Sequence, residues 1–151
     1  MEYLLLKLIH IISATIMFGT GLGSAFYLYF IYKRSSQTKI IKEVLKLVIV
    51  ADYIFTTPSV AIQLITGILL SYIMGILSSK WFVVVIISSI IIFGLWVRAV
   101  YLQINMKKQL ENQDEITPQF HKMMKEWFFL GVPAFLGSIF LFYLMVYKPF
   151  F

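Results

Sequence analysis

The chain has 151 residues, 60% of them hydrophobic and only 13% charged, with a net charge of +6 and no cysteine. A soluble domain carries about twice that charged fraction, and a mean hydropathy of +0.88 leaves too little polar surface to coat one water-soluble core. Lipid must be the solvent for much of the surface, and the missing thiols exclude disulfides, iron–sulfur clusters and a cysteine nucleophile.

Four apolar stretches, at 4–32, 48–74, 81–102 and 127–147, are each long enough for a hydrocarbon core that takes about 20 helical residues. They predict an all-α integral membrane protein, an up-down four-helix bundle in one transmembrane domain. The first stretch is too long for the core of a cleaved leader and reads as a retained helix. Lys33, Arg34, Lys39, Lys42 and Lys46 fall between the first two stretches, and Lys107, Lys108, Lys122 and Lys125 between the last two. The short 75–80 connection holds only Lys80. The positive-inside rule then puts both basic connections in the cytoplasm and both termini outside. Tyr3, Tyr72, Trp81 and Tyr147 mark the outer interface, and Tyr53, Tyr101 and Trp127 the inner one. The expected setting is a bacterial cytoplasmic membrane crossed several times, with lipids as neighbours and no nucleic acid.

Helix one carries Gly19, Gly21 and Gly23, whose small face predicts a close helix contact within the bundle or in a homodimer. It also carries His10, the one histidine within a predicted span, about six residues or roughly 9 Å below the outer end. A neutral imidazole can hold haem or a metal, or can hydrogen-bond a neighbouring helix. On helix two, Asp52, Thr56, Ser59, Gln63 and Thr66 recur at steps of four, three, four and three. At helical winding they share an arc of about 80°. Such a stripe must face the bundle interior, as glue between helices or as one wall of a site or polar pathway. Pro58, in the same helix, removes a backbone donor and frees the carbonyl near Ile54.

Helix three holds Arg98, about four residues from its inner end. An intramembrane arginine costs about 2.5–3.5 kcal/mol unless it is paired or snorkels, and loop counting places Asp52 at nearly the same depth. An Asp52–Arg98 ion pair is therefore expected, joined by Glu126 at the start of helix four. The stretch 112–118 reads as a polar turn, with Thr117 as a cap and Pro118 in the first turn of a cytoplasmic connector over 119–126. Helix four contains Pro133, which should soften it near Phe129. His121 lies across most of the bilayer from His10, so the two cannot share one iron. No phosphate loop, metalloprotease motif, Ser-His-Asp grouping or acidic metal cluster appears.

Several segments resemble a bacterial family of predicted integral membrane proteins with no assigned function. They are Lys7-Leu8-Ile9-His10 with Phe18-Gly19-Thr20-Gly21, Ala51-Asp52-Tyr53-Ile54-Phe55-Thr56-Thr57-Pro58, Gln63-Leu64-Ile65-Thr66-Gly67, and Trp127-Phe128-Phe129-Leu130-Gly131-Val132-Pro133-Ala134-Phe135 with Leu144-Met145-Val146-Tyr147-Lys148-Pro149. A more distant likeness is to HemJ-type protoporphyrinogen oxidases and CopD-like membrane domains, through Lys7, His10, Thr66-Gly67 and Lys148-Pro149-Phe150. That resemblance implies haem b with His10 as an axial ligand; the residues themselves offer Met74, Tyr143, Met145, water or a second subunit as a sixth ligand. The chain departs from it in holding no lysine inside helix three. Three functions are carried forward: haem-linked redox chemistry at His10, small-solute or proton permeation along the helix-two stripe, and a non-catalytic partner or assembly role.

Overall fold

A computed structural model describes residues 2–35, 37–113 and 115–148, so the Pro149-Phe150 tail lies outside the described residues. Its elements are α1 (Glu2–Arg34), α2 (Thr38–Ala51), a π turn (Asp52–Thr56), α3 (Thr57–Ile73), α4 (Lys80–Asn112) and α5 (Pro118–Tyr147). Because α2, the π turn and α3 form one rod, the described residues make four helices long and apolar enough to cross a membrane. The protein is an all-helical, multi-pass integral membrane protein.

The rods outrun the expected spans at one end. At 1.5 Å per residue a 30-residue helix is about 45 Å long, against about 30 Å of hydrocarbon. The surplus lies at the end where Lys and Arg concentrate, called here the basic end. The basic connections expected as loops are mostly helix: α2 starts at Thr38, α4 runs to Asn112 and α5 starts at Pro118. Thr117 caps α5 as expected, its Oγ1 accepting from the Phe120 N–H at 3.3 Å. The 119–126 segment, however, is no solvated connector. Phe120 and Met124 are buried there among Leu28, Ile41, Leu45, Val48, Leu102, Met106, Leu110 and Trp127. These apolar residues recur at helical spacing on four helices, and outside the hydrocarbon, burying them carries the full hydrophobic gain.

At the opposite, hairpin end, α3 closes on Gly75, whose φ of +68° lies in the left-handed region that favours glycine. Ile76 N–H bonds Ser71 O and Gly75 N–H bonds Tyr72 O, each at 3.0 Å, the paired bonds of a Schellman stop. Ser79 Oγ then caps α4 by accepting from Phe82 N–H at 3.1 Å. Trp81 Nε1 donates to Leu144 O at 2.8 Å, tying α4 to α5. Elsewhere the spans present apolar side chains outward, Leu5 at 58% and Ile90 at 65% exposure among them, as a lipid-facing wall does.

The close helix approaches use other glycines than expected. A Cβ on Gly19, Gly21 or Gly23 would meet nothing within 4 Å, so none of the three makes a close helix approach among the described residues. A Cβ on Gly137 would lie 2.9 Å from Ile92 Cγ1, across the α4–α5 seam. Gly137→Val should lower unfolding stability in detergent by about 1–3 kcal/mol through overpacking. Gly94→Val, in open space, should leave the same unfolding curve within about 0.5 kcal/mol.

Candidate functional site: a polar seam inside the helices

The polar stripe is built in two halves. At its basic end Asp52 is 7% exposed and Thr56 is buried beside it, with Ser59 and Thr66 buried further along the stripe. Asp52 Oδ1 accepts from the Thr56 hydroxyl at 2.8 Å, and Oδ2 accepts from Gln103 Nε2 on α4 at 3.1 Å. Gln103 is only 3% exposed, and its Oε1 has no hydrogen-bond partner among the described residues. Among the described residues no cation lies within ion-pair distance of Asp52.

The winding explains how the carboxylate comes to sit there. Pro58 has no N–H to give, and the helix responds one turn earlier by widening into the π turn. Thr57 N–H reaches five residues back to Asp52 O, and Thr57 Oγ1 donates to the same carbonyl at 2.9 Å. A π turn is the recognised way to absorb such a break and is frequent at functional sites. Pro133 produces no comparable break, and α5 runs through it.

At the hairpin end the stripe meets α1. His10 Nδ1 is 2.8 Å from Thr66 Oγ1, and its Nε2 is 2.9 Å from Gln63 Nε2. Ser13 donates to Gln63 Oε1 at 2.5 Å. The proton order follows from the partners. Thr66 gives its own hydrogen to Ile62 O at 2.6 Å, so its oxygen accepts and His10 Nδ1 donates. Nε2 then bears the lone pair and accepts from the Gln63 amide. Each group donates to the next, from Ser13 through Gln63 and His10 to Thr66. Gly67 makes the seat for the ring: a Cβ there would stand 3.2 Å from His10 Cε1.

This geometry bears directly on haem. Both ring nitrogens of His10 are committed, and Nε2 points at α3, against which α1 packs. Iron would reach Nε2 only by displacing Gln63 and parting the two helices. As arranged, these residues do not fit the group. His121 bonds Tyr32 through Nδ1 at the basic end, away from His10.

The expected Asp52–Arg98 pair is corrected. Arg98 Nη2 and Nε both donate to Glu126 Oε1, at 2.7 Å and 3.0 Å, joining α4 to α5. Loop counting missed this because α4 runs on to Asn112 and Arg98 lies about 140° around the helix from Gln103, which faces Asp52. A double-mutant cycle on Arg98 and Glu126 should show a coupling of about 0.5–1 kcal/mol, weakened by salt. The same cycle on Arg98 and Asp52 should read about zero.

Neither Gln103 nor Ser13 stood out in the sequence. Gln103 follows Leu102 on the face that buries Met106 and Leu110, which was its only signal, and Ser13 is one small hydroxyl on an apolar helix.

A multi-pass membrane protein with a polar seam closed against its own helices is the class that this fold and site define. The chain belongs to the DUF2269 family, described as a predicted integral membrane protein, whose model matches residues 4–149. No curated protein and no solved structure matches it.

Proposed function

We propose that this protein passes protons along its buried stripe, with Asp52 as the acid–base group near the basic end and His10 near the hairpin end. One observation carries the reading: Asp52 is a buried carboxylate in a membrane-crossing rod, and every described partner it has is neutral. Asp52 lies level with Gln103, about 35 Å along α4 from its hairpin end, so it stands at the inner mouth of the stripe. A buried carboxylate with neutral partners is costly there as a permanent anion and can take a proton from the basic-end interface. From Asp52 to Thr66 is fourteen residues, about 21 Å of helix, which is most of a hydrocarbon core. Between them stand the buried Thr56 and Ser59 side chains, and water would have to carry the proton across the intervals from Thr56 to Ser59 and from Ser59 to Gln63. Side chains meet directly between α1 and α3, so the stripe suits protons rather than solutes. The setting proposed is the bacterial cytoplasmic membrane, with the basic end inside.

The test is acidification of vesicles holding a trapped pH dye, driven by a potassium diffusion potential. The wild-type protein should acidify them roughly tenfold faster than protein-free vesicles, and Asp52→Asn should fall to background. A folded wild-type protein that conducts no faster than bare lipid would overturn the reading.

A further inference from the structure

On the flank formed by α4 and α5, a cleft of about 530 Å³ opens at the basic end. Its polar lining comprises Arg98, Tyr101, Asn105, Gln119, Lys122 and Glu126. Two cations face one carboxylate, so the lining is net positive, and that carboxylate is already bonded to Arg98. A guanidinium has five N–H donors, and Glu126 takes only Nε–H and one from Nη2. The guanidinium lies over the Tyr101 ring, 5.5 Å from its centroid. Lys122 is exposed and makes no ion pair with a described residue. The first turn of α5, at Pro118 and Gln119, forms part of the rim and adds the positive end of a 30-residue helix dipole.

The depth of the cleft narrows the class of ligand. Arg98 is eighteen residues along α4 from Lys80, about 27 Å, so it stands close to one hydrocarbon thickness from the hairpin end. That is headgroup level. Toward the bilayer centre the same flank continues as apolar surface, with Val97 and Phe129 at 47% and 63% exposure. Donors and cations at the headgroup boundary, with an oily wall running away from them, match one phospholipid laid along the seam: phosphate in the cleft, acyl chains over α4 and α5.

We infer that this cleft seats the phosphodiester of an anionic phospholipid, with Arg98 and Lys122 as its cationic ligands. Basic pockets between membrane helices are known to recognise such headgroups. Glu126 acts as a tether, holding the Arg98 guanidinium at the cleft while leaving its outer donors unspent. The inference stands apart from proton conduction and would survive its failure.

The experiment uses the full chain, stripped of lipid in mild detergent and titrated with phosphatidylglycerol or phosphatidylcholine, with bound lipids counted by native mass spectrometry. The wild-type protein should take up one phosphatidylglycerol roughly tenfold more tightly than phosphatidylcholine. Lys122→Gln should weaken that binding roughly fivefold without moving the lipid-free melting temperature. Lys39→Gln, a basic residue on α2, should bind as wild type does. Glu126→Gln, which keeps an amide oxygen to hold the Arg98 guanidinium while removing the competing negative charge, should tighten binding. Equal affinity for the two lipids, or wild-type affinity in Lys122→Gln, would overturn the assignment. Displacement of the lipid by 10 mM inorganic phosphate would overturn it too, because the site would then be one for a soluble anion.

Discussion

Phe120→Ala should destabilise the protein by about 3–5 kcal/mol, the usual cost of truncating a fully buried phenylalanine. Phe120 is 0% exposed and sits in the cluster that gathers α1, α2, α4 and α5 beyond the lipid boundary. In the hydrocarbon an apolar side chain gains little by leaving lipid for protein, whereas at the basic end its alternative is water. The comparison variant is Leu5→Ala, on the lipid-facing wall, expected within about 0.5 kcal/mol of the parent. Denaturant unfolding in one detergent measures both. If Leu5→Ala cost as much as Phe120→Ala, the water-facing core would not be what locks the bundle.

The second large effect separates structure from conduction at a single position. Asp52→Ala removes the acceptor for Gln103 Nε2 while Gln103 Oε1 is already without a partner. The whole buried amide is then stranded, at about 1–3 kcal/mol for each unsatisfied group. Asp52→Asn behaves differently. An asparagine keeps an oxygen for Thr56 and offers an amide to Gln103 Oε1 once the glutamine side chain turns over. Thermal melting should therefore rank Asn close to the parent and Ala well below it, while both abolish proton flux. An Asp52→Ala protein as stable as the parent would mean that Gln103 is not held by Asp52.

The four spans were legible because a run of about 20 apolar residues suits a bilayer crossing and little else. The inward stripe was equally legible, from Asp52 to Thr66 by spacing alone. What stayed hidden was rotation and partner choice. Arg98 and Asp52 match in approximate depth but face different neighbours, and depth is all that counting from loops provides. Gly19, Gly21 and Gly23 form a better small-residue pattern than Gly67 or Gly137, yet only the latter two meet another helix side chain. The helical extensions were obscured by their lysines, which read as loop charge. Ile41, Leu45 and Val48 carried the helical period through that same segment, but it was overridden by the orientation signal.

The π turn changes what a single row of residues can reach. One extra residue in a turn delays the winding by about 100°, so the row does not keep one bearing along the rod. Before the turn it looks toward α4, where Asp52 meets Gln103; after it, the row looks toward α1, where Gln63 and Thr66 meet His10. Deleting one residue from the lipid-facing side of that turn, such as Phe55, would restore ordinary winding. Gln63 would then swing away from His10 while the Asp52 junction stayed put. Two interhelical joints thus depend on a local miscount, and a one-residue deletion would break one joint and spare the other.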